Sequence, residues 1–119
     1  MAAIPIPIRF LSIQQIDLGT AATGTIVVDL ALARETLIIG TQTGNLTIQF
    51  TNAAKFKSVS ADIEQGGAGG FTLAFTLLGG TVVYPANQSF VPKITAGATN
   101  TFAGLCVSGV KINANSSPY

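Results

Sequence analysis

The most informative property of this 119-residue chain is its shortage of charge. Only 9% of the residues are charged, six Lys or Arg against five Asp or Glu, whereas 48% are hydrophobic. Globular proteins carry about 25% charged residues. A disordered chain is excluded, because disordered chains are rich in charge and poor in apolar residues. A nucleic-acid-binding surface is also excluded, since a net charge of +1 provides no basic patch for phosphates.

Catalytic and metal-binding side chains are scarce as well. The chain has no His, so it cannot form a Ser-His-Asp or a Cys-His arrangement. The single cysteine, Cys106, can form no disulfide within the chain, and we expect it to be a small buried side chain. Asp62 and Glu64 share one face of a strand, where a solvated strand end explains them better than a carboxylate pair or a Ca²⁺ site. The sequence therefore predicts no enzyme, no cofactor, no metal and no small-molecule substrate.

Alternation of apolar and polar residues dominates the chain. In the segment 46–51 the apolar residues occupy every second position, which is typical of half-buried strands. The dipeptides Gly44-Asn45 and Gly79-Gly80 are suited to two-residue hairpins between such strands. The predicted strands cover 6–16, 24–32, 36–43, 46–51, 55–63, 71–78, 81–84, 89–95 and 101–113.

Short strands with frequent turn signals predict an all-β fold. The expected architecture is an antiparallel β-sandwich of jelly-roll-like or Greek-key type, without an internal repeat. The sequence divides into an extended N-terminal arm at 1–11, a single β-sandwich domain at 12–113 and a polar C-terminal tail at 114–119.

The segment 29–39 leaves two interpretations open. One is a strand to about Leu32, a tight turn at Arg34-Glu35 and a second strand. The other is a helix of one or two turns that Asp29 caps, because the segment contains good helix formers.

The N-terminal arm combines apolar side chains with prolines. Two prolines at alternate positions remove two backbone donors, which excludes a central strand but fits an extended arm or an edge strand. The apolar side chains line one side and must be buried, either on the chain's own sheet edge or on a neighbouring subunit. We predict contact between subunits for Ile4, Pro5, Ile6, Pro7, Ile8 and Phe10.

The surplus of apolar residues and the arm together predict a protein that assembles. A monomer with so little charge would expose apolar patches, whereas an oligomer buries them. The composition resembles that of small capsid, cement and decoration proteins of bacteriophages. That resemblance implies a structural subunit that stabilises a particle through homo-oligomeric contacts and contacts with a major capsid protein. We expect it in the virion after synthesis in the host cytoplasm, because no signal-peptide or membrane-helix pattern is evident.

A second function class remains open. A receptor- or carbohydrate-binding β-sandwich module on a virion or cell surface would require exposed aromatic or polar side chains in loops. The candidates for such a site are Tyr84, Asn87 and Tyr119.

Overall fold

The computed structural model describes residues 13–85 and 90–114, and this part of the chain is nearly all β. A single 3-10 turn lies at Leu30–Leu32. The predicted arm at 1–11 and the tail beyond Ala114 lie outside the described residues. The eight strands are β1 (Ile13–Asp17), β2 (Ala22–Asp29), β3 (Glu35–Thr51), β4 (Ser58–Gln65), β5 (Leu73–Leu77), β6 (Thr81–Val83), β7 (Thr99–Ser108) and β8 (Lys111–Ala114).

Strands β1 to β5 form three coils of chain that lie on one another in parallel. The first coil contains β1 and β2, the second coil is β3, and the third contains β4 and β5. In the first stack, β1 and β4 flank the first half of β3; in the second stack, β2 and β5 flank its second half. Successive coils begin at Ile13, Glu35 and Ser58, so one coil occupies 22 or 23 residues. Each coil runs along the first stack, bends, and returns along the second stack.

Three further strands end the first stack. β7 pairs with β4 in the antiparallel direction, β8 pairs with β7 in the same way, and β6 lies parallel to β8. The sheet is therefore mixed, and the prediction of an antiparallel architecture is wrong. The sequence has no evident internal repeat, whereas the coils repeat in structure.

The error at Gly44-Asn45 has a clear physical cause. Neither residue has the positive φ that a two-residue hairpin requires, and β3 runs through both of them without a break. Gly44 is needed because a Cβ there would collide with the hydroxyl of Thr23 on the preceding coil. Asn45 reaches the following coil, where its Oδ1 accepts a 2.9 Å hydrogen bond from the backbone N–H of Thr72. This dipeptide joins neighbouring coils instead of reversing the chain.

Other strand predictions are wrong at their ends. The predicted strand at 89–95 has no counterpart among the described residues, where Thr95 forms only an isolated bridge to Gly69. The predicted strand at 101–113 is split by the turn Gly109-Val110 into β7 and β8.

Both interpretations of the segment 29–39 are partly right. β2 ends at Asp29, one turn of 3-10 helix follows, and β3 begins at Glu35. The Asp29 side chain accepts 2.8 Å hydrogen bonds from the Asn52 side-chain amide and from the backbone N–H of Ala31. These two bonds lower the pKa of the Asp29 carboxyl below its ordinary value of 3.8.

Removal of the Asp29 carboxylate is expected to produce a pH-dependent loss of stability. Because the folded-state pKa is lowered, the carboxylate stabilises the fold above about pH 4 and ceases to do so as the pH falls through the folded-state value. Asp29→Ala should lower the melting temperature at pH 7 by a few degrees, and the difference from wild type should shrink on acidification. Thermal denaturation between pH 2 and pH 7 measures it. Glu64→Ala is the matched control, and a difference independent of pH would contradict the assignment.

The inward side chains of both stacks meet in one core. Phe50 of β3 and Phe75 of β5 lie on the second stack, and their ring centroids are 5.9 and 4.1 Å from that of Phe102 on β7. The predicted inward positions of 46–51 are confirmed, since Leu46, Ile48 and Phe50 are all buried. Cys106 is fully buried as predicted, and its burial raises the pKa of the thiol.

Two glutamines are buried where the coils bend. Gln42 and Gln65 are register partners on β3 and β4, and neither is more than 1% exposed. The Gln65 side-chain amide donates to Gln42 Oε1 at 3.0 Å and to the Phe71 carbonyl at 2.9 Å, and Gln65 Oε1 accepts from the Phe71 N–H. Gln42 donates to the carbonyls of Gly44 and Thr72. Each amide hydrogen therefore has a partner.

Candidate functional site: an apolar face formed by the turns

The turns that connect the strands lie together at one end of the molecule. They are 30–34, 52–57, 78–80 and 109–110. The first two are joined by the Asn52 bond to Asp29 and by Lys57 Nζ, which donates to the Ala33 carbonyl at 2.8 Å. The backbone N–H of Leu78 donates to the Phe50 carbonyl near the end of β3.

The fourth turn reaches the same end because β7 runs antiparallel to β4. The backbone N–H of Thr81 donates to the Val110 carbonyl at 3.0 Å, and a Cβ on Gly109 would lie 3.3 Å from the Ala53 carbonyl. The four turns thus form one continuous surface, while the bends of the coils lie at the opposite end.

Each of these turns presents one large apolar side chain to solvent. Leu32 is 73% exposed, Phe56 67%, Leu78 60% and Val110 62%. We call the surface formed by these four side chains the turn face. Exposed apolar residues that are scattered singly are ordinary, but a cluster of them indicates a surface that binds another molecule.

Phe56 has a strained backbone as well as an exposed ring. Its φ is 72°, in the left-handed region that bulky side chains rarely adopt. Such strain persists where the surroundings impose it, and it is frequent at functional sites. The Lys55 ammonium lies 5.6 Å from the centroid of the Phe56 ring. The turn therefore holds a phenylalanine outward at an energetic cost.

A shallow groove of about 320 Å³ lies on the outer face of the first stack and contains three carboxylates. Asp62 and Glu64 lie on this face of β4, as their spacing predicts, and Asp17 belongs to β1. The Thr101 hydroxyl donates to Asp62 at 2.9 Å and the Thr41 hydroxyl to Glu64 at 3.3 Å. In 13–85 and 90–114, no group of three or more His, Cys, Asp or Glu residues is placed to hold a metal ion.

The other candidate residues fall into two groups. The six predicted contact residues of the arm (Ile4, Pro5, Ile6, Pro7, Ile8 and Phe10) lie outside the described residues, as do Asn87 and Tyr119. Tyr84 is half-buried: its ring lies 6.0 Å from Phe90 and 6.3 Å from Phe102, centroid to centroid. Its aromatic surface thus contributes to the core more than to a binding loop.

Burial gives Tyr84 a measurable signature, because it raises the pKa of this phenol to about 12. The neutral phenol therefore stabilises the fold below about pH 10, and this contribution is lost as the pH rises through about 12. Absorbance titration of tyrosinate should show one step near pH 12 that Tyr84→Phe removes. A step near the ordinary value of 10 for Tyr84 would contradict its packing against the core.

No protein-family model, curated protein or solved structure matches this chain. Within the described residues, no helix has the length and apolar character needed to cross a membrane.

Sequence reasoning missed the turn face. It placed Leu32 at the end of the predicted strand 24–32 and Leu78 at the end of the predicted strand 71–78, whereas both lie in turns and are exposed. One signal was present: Leu32, Phe56 and Leu78 recur at intervals close to the coil length.

Proposed function

We propose that this protein is a structural subunit of a symmetric homo-oligomeric assembly, of the kind formed by small viral capsid, cement or decoration proteins. The observation that carries the proposal is the turn face, where four turns from different parts of the chain expose four large apolar side chains together. Burial of such side chains contributes about 25 cal/mol per Å² of apolar surface removed from water. A second copy of the same chain is the proposed partner.

The low charge of the chain as a whole, 9% of residues, supports this proposal, because interface cores are depleted of charged residues. The four side chains of the turn face are uncharged, and Arg34 and Lys55 are exposed in the same turns. Two turn faces placed against each other by a two-fold axis would bury all eight side chains, because a two-fold interface uses the same surface on both subunits. The acidic groove lies on the outer face of the first stack and stays in solvent in this arrangement. The proposal involves no catalytic role, cofactor, nucleic acid or membrane.

The mass of the native protein in solution tests the proposal. We expect a defined oligomer by light scattering, and the double variant Leu32→Ser/Leu78→Ser should have the mass of one chain, 12.2 kDa. The matched control is Ile39→Ser/Ile94→Ser, since these residues are 54% exposed but lie away from the turn face. A monomeric wild-type protein, or an oligomer that only the control variant dissociates, would refute the proposal.

Electron microscopy addresses the viral part of the proposal. A subunit that forms a shell by itself should produce closed particles of uniform diameter when the purified protein is concentrated. A decoration or cement subunit should remain a small oligomer and bind to the surface of a shell built from a major capsid protein. Location in a virion predicts that the protein copurifies with such particles.

A further inference from the structure

The outer edge of β2 is open within the described part of the chain. β2 pairs with β3 on one side, and no described residue pairs with its other side. Natural edge strands are usually protected by Lys, Pro or a covering element, because free backbone groups accept added strands. The stretch from Ala22 to Val28 contains neither a charge nor a proline, and Val27 is 58% exposed. From Thr25 to Val28 the edge therefore has none of these protections among the described residues.

The sequence of the N-terminal arm matches this edge in register. Successive coils are related by 22 residues where β2 pairs with β3. The same offset aligns the segment 4–8 with 26–30. The three isoleucines of the arm then fall in phase with the inward row of the first coil: Ile4 with Ile26, Ile6 with Val28 and Ile8 with Leu30.

Pro5 and Pro7 occupy the positions between these isoleucines. In a β-strand the N–H and C=O of one residue point to the same side, and those of the next residue point to the other side. If the isoleucines of the segment 4–8 bond to β2, then Pro5 and Pro7 face away from it. Proline has no N–H to offer, so this strand would end the sheet and prevent further addition.

The sequence of the arm favours a second copy as the source of this strand. The two turns that bring one coil back to the next use Asp29 as a cap and Asn52 at a φ of 58°. The 22-residue offset aligns Asp29 with Pro7, whose side chain has no acceptor to cap a comparable turn. This difference disfavours a return of the arm to the β2 of its own chain.

We propose that the outer edge of β2 binds the segment 4–8 of a second copy as an added parallel strand. This inference rests on the proposed assembly and names the contact that holds it together. It also agrees with the turn face. In each subunit β1 starts at the turn face and runs away from it, whereas β2 runs towards the turn face. An arm that continues β1 backwards therefore projects beyond the turn face of its own subunit and has the same direction as β1. It is parallel to β2 of the second copy only if the turn face of that copy points at the first turn face.

The lengths are compatible with this arrangement. From Ile8 to Ile13 an extended chain spans roughly 16 Å, enough to cross from one subunit to the next. Phe10 and Leu11 would then lie between the two turn faces, where their side chains add apolar surface to the contact. A two-fold axis makes the exchange reciprocal, so that each subunit gives one arm and accepts one.

Cross-linking between two different variants, each with one added cysteine, tests the proposal. Pro5→Cys protein is mixed with Val27→Cys protein, and the mixture is oxidised after exchange of subunits. Neighbouring strands lie about 4.8 Å apart, within the Cα separation that a disulfide spans. Cys106 is fully buried and is left in place. We expect a product of two chains, containing one of each variant, as the main species on a non-reducing gel.

The matched control is Pro5→Cys mixed with Thr23→Cys, which is exposed on the same strand but out of register and should give little product. A disulfide that forms only when Pro5→Cys and Val27→Cys are in one chain would overturn the second-copy assignment. No disulfide in either format would overturn the strand acceptor itself. The native mass separates this proposal from the proposed assembly. If the protein is an oligomer but does not form the cross-link, only the arm contact is refuted. If the protein is a monomer, both the assembly and the arm contact are refuted.

Discussion

Replacement of Phe56 by glycine is expected to dissociate the assembly without lowering the stability of the subunit. Glycine adopts a φ of 72° at no steric cost, so the substitution relieves backbone strain of about 1 kcal/mol. The ring is 67% exposed in the subunit, so its removal costs the isolated fold little buried surface. In the proposed two-fold dimer the ring of each subunit would lie in the contact, where loss of a central aromatic side chain costs about 2 kcal/mol or more, so the dimer would lose about 4 kcal/mol.

Sedimentation velocity should therefore show a dissociation constant raised about a thousandfold. The melting temperature of the dissociated subunit should stay the same or rise. Lys55→Gly is the matched control in the same turn, because Lys55 does not have a positive φ. This control should leave the dissociation constant nearly unchanged. A Phe56→Gly variant that unfolds more easily and associates normally would mean that the ring serves the fold and not the contact.

Replacement of Gln65 by leucine is expected to cause the largest loss of stability of any single substitution discussed. The leucine leaves the N–H and C=O of Phe71 and the Oε1 of Gln42 without their partners in a buried site. Each unsatisfied buried group costs about 1–3 kcal/mol. We expect the free energy of unfolding to fall by about 4 kcal/mol, a large share of the roughly 5–15 kcal/mol of an ordinary domain.

Chemical denaturation measures this loss, and the melting temperature should drop by roughly 15 °C. Gln15→Leu is the control, since it makes the same change at an exposed position of β1. The double variant Gln42→Leu/Gln65→Leu should lose less than the sum of the two single variants, because the bond between the side chains is removed only once. Additive losses would show that the two glutamines act independently.

The local pattern predicts which side chains face the core but not the direction in which strands pair. Alternation places Leu46, Ile48 and Phe50 inward in either a parallel or an antiparallel sheet, because the period of two is the same in both. Pairing direction was inferred from glycine-containing turns, and Gly44 has its role in contact with Thr23 of another coil. Such a contact depends on residues more than twenty positions away, and no local rule contains it.

The coil repeat is hidden for a similar reason. Residues that are paired between successive coils occupy equivalent positions on the sheet but differ in amino-acid type. Asp17, Ile39 and Asp62, for example, form one row across the first stack. The arm stays a prediction from the alternating prolines and isoleucines, because it lies outside the described residues. The turn face could not be predicted in this way. It forms only when the fold brings four separate turns to the same end.

The three parallel coils make the thickness of the subunit adjustable in fixed increments. The coil at 35–57 has the same kind of neighbour on both sides, so a duplicate of it inserted before Ser58 would stack on the original in register. Each added coil would lengthen the subunit by about 4.8 Å, and β1 and β7 would keep their present surroundings at the two ends. The length of the fold along the stacking direction is thus set by the number of coils.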